Sequence, residues 1–274
     1  MPDQPEPEIL PPQYAPAEPA SRPHRSEWNP LSAPGTYFLL AINIGVYLWM
    51  IAHRVSPLLP SVQQLIHYGA NSTYLVVVQG EWFRLLTATF VHIGIIHIAA
   101  NMWCLWNLGL LGEPLLGPWG LIAVYVLTGV AGNMLSIAWD VLGALLFNRT
   151  IEMTVGAGAS GAVFGIAGIL IVLLSNKRLP IPWVELKRLR TSVIRFAVIN
   201  LIIGASTTLP SIGSHIRIEN SAHIGGFLSG LSLGPPLLPR MTSGRVRYLN
   251  RQKITFAAAA FLLSLFGYWI ANLK

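Results

Sequence analysis

The chain has 274 residues, of which 53% are hydrophobic and only 11% charged, and its formal net charge is +7. A soluble domain cannot hide that much apolar surface, so the composition excludes one and points to a membrane protein. The positive charge does not indicate a nucleic-acid partner, because Lys and Arg flank apolar runs instead of interleaving with a soluble fold.

Residues 1–34 are rich in Pro, Glu and Ala and are expected to form a disordered cytoplasmic tail. The tail is acidic and lacks an early apolar core, unlike a secretory signal or a transit peptide. A bilayer crossing takes about 20 mostly apolar residues. Seven runs qualify, at roughly 36–52, 86–110, 118–138, 155–174, 192–209, 220–238 and 254–272. The first is followed by a long connection, residues 53–85, of a length that is unusual between membrane helices and often functional. The segment 140–148 is too short to cross and is expected at the interface. The fifth run is the weakest, cut short by Thr207, Thr208 and Pro210. Residues 239–253 read as a basic linker between a core over 35–238 and a seventh span within 254–274. With the N-terminus inside, thirteen of the 18 Lys and Arg residues fall on inner segments. That bias predicts a cytoplasmic N-terminus and an outer C-terminus, with the start of the fourth span near the outer face. The expected class is an all-α polytopic membrane protein of seven spans.

Polar side chains inside spans are costly and normally face the protein interior or a wet cavity. Few occur here. The second run carries His92, His97 and Asn101, the fourth Ser160, and the sixth His223; Glu113 lies just beyond the second. Cys104, the single cysteine, allows no intramolecular disulfide and reads as a small buried hydrophobe. His97 and Asn101 are one helical turn apart and share a face. His223 shares a face with Gly226 and Gly230, and Gly161 and Gly165 form a second small-residue stripe beside Ser160. Such stripes let two backbones come close. A Ser160–His223 contact across the fourth and sixth spans is what the pattern would produce.

Each of these residues has a bland reading. A lone membrane serine is usually packing or bonds back to its own helix, and His97 with Asn101 would serve equally to tie one helix to its neighbours. Together they supply a nucleophile, a base and two donors. Serine needs a base within hydrogen-bond reach, and neutral His223 suits that role. The tetrahedral intermediate needs donors for its oxyanion, available from the Ser160 amide at a helix start and from His97 and Asn101. No Asp or Glu lies in these spans to orient His223, so a dyad is expected. His92 and His97 also form an HxxxxH pair, but on a continuous helix their directions diverge by about 140°. There is no HExxH for a zinc protease and no pair of intramembrane Asp residues for an aspartyl protease.

These residues resemble the rhomboid family of intramembrane serine proteases. Gly158-Ala159-Ser160-Gly161 is similar to the family's GxSG, and Ala222-His223 with Gly226 and Gly230 to its AHxxGxxxG. His92, His97, Asn101 and Met102 match the pattern of its second span, and Glu81-Trp82-Phe83-Arg84 its Trp–Arg region in the first outer loop. The resemblance implies a six-helix core with one extra C-terminal helix, and cleavage of the transmembrane segments of other membrane proteins. It implies Ser160 as nucleophile, His223 as general base, and His97, Asn101 and the Ser160 amide as the oxyanion hole. It implies no metal or organic cofactor. Two departures stand out: Phe164 occupies a position where several members have Tyr against the histidine ring, and Phe83 splits the Trp–Arg pair. The expected partners are transmembrane substrates and the bilayer, preferably a bacterial plasma membrane. A catalytically silent relative that binds membrane proteins is the alternative, and such relatives usually lack Ser or His at the dyad. A transporter is disfavoured by the few charges within spans.

Overall fold

The computed structural model of the chain describes residues 32–148, 150–151, 155–206 (the last four as backbone), 220–239 and 244–273. The tail before residue 32 and the Thr207, Thr208 and Pro210 break lie outside them. The described residues are helical apart from loops and one isolated antiparallel bridge, and the chain is an all-α polytopic membrane protein. In chain order the helices are α1 (Pro34–Ala52), α2 (Val62–His67), α3 (Arg84–Thr87), α4 (Ile95–Leu116), α5 (Pro118–Phe147), α6 (Ser160–Leu173), α7 (Trp183–Ser206), α8 (Asn220–Leu237) and α9 (Arg245–Ala271). A single π-helical turn, Tyr74–Val78, lies between α2 and α3. By length and composition α1, α4, α5 and α9 are each sufficient to cross a membrane.

Helix α6 is the axis of the bundle. Every residue from Gly161 to Leu170 is buried, as expected for a helix that is apolar on all sides. Its 14 residues rise only about 21 Å, less than the hydrocarbon core. Non-helical backbone at membrane depth is tolerable only where protein surrounds it. Helices α4, α5 and α8 pack around α6.

The most extensive helix pair is α6 with α8, and glycines set its closeness. Gly226 lies directly against the carbonyl of Gly161, and Gly230 against that of Gly165, with no room for a methyl group at either. The two stripes predicted from the sequence thus face each other. Polar ties hold the remaining helices. Asn43 of α1 donates to the Tyr125 hydroxyl of α5 at 2.9 Å, and that hydroxyl reaches the Thr89 carbonyl at 3.2 Å. Glu113, 4% exposed, accepts from the amides of Gly35 and Thr36 at 2.8 and 2.7 Å. It thereby satisfies free N–H groups at the start of α1.

Three expectations are corrected. The second run is not one helix from 86: α3 ends at Thr87, the chain turns through 88–94, and α4 runs from Ile95 to Leu116. Glu113 is therefore inside α4, not beyond it. The segment 140–148 is not a separate interfacial piece but the last turns of α5, where Val141 is buried and Asp140 accepts from Thr73 Oγ1 at 2.6 Å. Cys104 is only partly buried, beside Trp103 and Phe196 in a crevice between α4 and α7.

Helix α9 starts at Arg245, within the stretch expected to be a linker. The polar residues that hide this start from a hydropathy scan clamp the bundle. Gln252 donates to the Leu116 carbonyl at 2.8 Å, Tyr248 to that of Leu115 at 3.0 Å, and Arg251 to that of Leu238 at 2.6 Å. These carbonyls end α4 and follow α8, where no intrahelical partner exists. At its other end α9 places Gly267 against Met134 and the Trp82 ring.

Candidate active site

The loop before α6 is shaped by its neighbours before any chemistry is considered. Asn71 and Gly156 exchange both backbone hydrogen bonds, at 2.8 and 2.9 Å. The long first connection is thereby stitched to the chain entering α6. Gly158 donates its N–H to the Ala88 carbonyl at 2.9 Å. Its φ of +131° lies in a region that side chains avoid, and the His97 ring packs onto its Cα, so glycine is required twice over. Ala159 donates to Nε2 of His92 at 3.4 Å, and Nδ1 of His92 faces the Phe90 carbonyl at 3.1 Å. That pairing fits a neutral ring with its proton on Nδ1. His92 is fully buried and touches the turn before Ser160 through the Ala159 amide.

Ser160 is the first residue of α6, where backbone N–H groups have no partner within the helix. One turn on, Phe164 lies flat on the His223 imidazole, with ring centroids 4.5 Å apart and planes inclined by 14°. His223 is 6% exposed, and its Nδ1 has no hydrogen-bond partner among the described residues. The same holds for Nδ1 of His97. The His97 ring is 5.5 Å, centroid to centroid, from that of His92. The two meet because His92 precedes α4 instead of lying on it, so the divergence expected for a continuous helix does not apply. Asn101 spends one amide hydrogen on the His97 carbonyl at 3.0 Å, which leaves it a second donor.

Ser160, Phe164, His223, His97, Gly158 and His92 thus belong to one neighbourhood, held by Gly161, Gly226 and Gly230. Arg84 does not. It is buried in the first connection, where it pairs with Glu81 and donates to the carbonyls of Ile66 and Ala70 at 2.6 and 3.1 Å. These bonds tie the start of α3 to the end of α2 and the turn after it. Among the described residues no group of three His, Cys, Asp or Glu is arranged to hold a metal. Periodicity could not reveal the Asn71–Gly156 bridge or the Ala88 carbonyl, because both are backbone contacts between loops. The polar run Asn71-Ser72-Thr73, buried throughout, is the one trace they leave in the sequence.

The Rhomboid domain model matches residues 79–240. The chain is 31% identical over 229 residues to the rhomboid protease GluP of Bacillus subtilis, an overlap of 83% of this chain and 39% of that protein. It is 30% identical over 249 residues to the rhomboid protease AarA of Providencia stuartii, covering 87% of this chain and 84% of that one. RHOMBOID-like protein 5 of Arabidopsis thaliana is 35% identical over 191 residues, covering 68% and 54%. The chain therefore spans about two fifths of the first of these relatives and most of the second.

Proposed function

The chain belongs to the rhomboid family, and from that membership we propose that it is an intramembrane serine endopeptidase. Its substrates are transmembrane segments of other membrane proteins. Ser160 Oγ adds to the scissile carbonyl carbon while His223 accepts its proton. The tetrahedral intermediate collapses to an acyl-enzyme as His223 returns that proton to the leaving amine. Water, activated by the same imidazole, then releases Ser160. The Ser160 amide, His97 and the remaining donor of Asn101 stabilise the oxyanion. The observation that carries this reading is the closure of α8 onto α6: glycine against glycine carbonyl, with the His223 ring stacked one turn beyond Ser160.

Retention of both Ser160 and His223 weighs against the silent-relative reading. The balance of Lys and Arg supports a cytoplasmic N-terminus and an outer C-terminus, with seven spans and α9 as the last. Two of the named relatives are bacterial, which supports a bacterial plasma membrane as the site of action.

Reconstitution of the full chain with a single-span reporter tests the dyad. Ser160→Ala and His223→Ala should each lower the cleavage rate at least about a thousandfold. Cleavage that persists in both variants overturns the assignment.

A further inference from the structure

The turn after α6 and the first half of α7 carry Lys177, Arg178, Lys187, Arg188, Arg190 and Arg195, with Glu185 as the sole acid among them. None of these cations forms an ion pair among the described residues. Two of them, distant in sequence, meet on one ring. Lys177 Nζ lies 5.0 Å from the Trp183 ring centroid, and the guanidinium carbon of Arg190 lies 5.7 Å from it. Arg190 also donates to Ser175 Oγ at 3.2 Å, while its Nε is buried with no partner among the described residues. The indole attracts each cation but does nothing about the repulsion between them. An anion beside Lys177 and Arg190 would offset that repulsion and take charge-assisted hydrogen bonds from their exposed donors.

The surroundings indicate which anion. Ile181, Trp183 and Val184 expose apolar surface beside the two cations. In a polytopic protein, tryptophan next to exposed aliphatic side chains and basic residues marks the level of the lipid headgroups. From this juxtaposition we infer that Lys177, Arg190 and Trp183 form a binding site for the phosphate of an anionic phospholipid. Ser175 holds the guanidinium in place, and Ile181 and Val184 lie along the glycerol and upper acyl chain. A free phosphate shares the charge but has nothing to set against the apolar flank. The site is independent of Ser160 and His223, and its test does not read proteolysis.

Native mass spectrometry of the purified full chain, titrated with phosphatidylglycerol or phosphatidylcholine, tests it. Wild type should prefer phosphatidylglycerol by about fivefold for each cation engaged. The Lys177→Gln/Arg190→Gln double variant should lose that preference. Lys187→Gln/Arg188→Gln, which removes equal charge from the exposed face of α7, should keep it. Trp183→Phe should retain the preference and Trp183→Ala should reduce it. The inference is overturned if the first double variant binds phosphatidylglycerol as wild type does, or if the second loses as much as the first. The lipid assignment is overturned if inorganic phosphate displaces the bound lipid as effectively as added phosphatidylglycerol does.

Discussion

Phe164 lies on the His223 imidazole with only the face of a ring to offer. A stacked aromatic pair of this kind contributes about 0.5–1.5 kcal/mol beyond its buried area. Phe164→Ala should therefore slow reporter cleavage about two- to tenfold, whereas Phe164→Tyr, which keeps the face, should stay close to wild type. Steady-state rates at saturating substrate separate the two. The faces of Ser160, Phe164 and His223 were legible in the sequence because helical period fixes them. The place of His92 was not. Reading 86–110 as one helix sent its ring away from His97, and the break is set by a distant contact, the Ile95 amide on the Pro57 carbonyl at 2.9 Å. No local pattern announces a bond to a residue on another loop.

At the scale of elements, the α6–α8 pair depends on atoms that are absent. A side chain at Gly226 would collide with the Gly161 carbonyl, backbone against backbone, so neither helix can yield without moving the other. Gly226→Val should lower stability by about 1–3 kcal/mol. It should also abolish cleavage, because the displaced helix carries His223. Thermal unfolding in detergent and the reporter assay read the two effects, and a variant that unfolds like wild type would show that the approach is not obligatory. The glycine stripes were legible, and so was their pairing. The ends of α5 and α9 were not: α5 runs on past Asp140 through the apolar residues 141–147, and α9 starts among polar residues that hydropathy scores as loop. Asp140 is accommodated by Thr73, while Tyr248, Arg251 and Gln252 satisfy carbonyls on other helices. A polar residue with a tertiary partner costs a helix little, but the partner is invisible in one dimension.

For the whole molecule, the orientation carried by Lys and Arg is open to direct labelling. In a Cys104→Ser background, Leu59→Cys should react with an impermeant thiol reagent in intact cells, and Arg245→Cys only after the membrane is permeabilised. Both positions are exposed, so a reversed pattern would invert the topology. The molecule also has a joint that its helices do not reveal. Asn71 and Gly156 trade two amide hydrogens across the gap between the first connection and the approach to α6. Neither amide can reach solvent unless the loop and the approach part company. At a pH high enough for intrinsic exchange to outrun reclosing, both protons should therefore exchange with deuterium at one common rate, that of a single local opening. Two unrelated rates would mean that the stitch unpicks one bond at a time. The time constant of that opening is a clock for the mouth of the site, readable without any substrate.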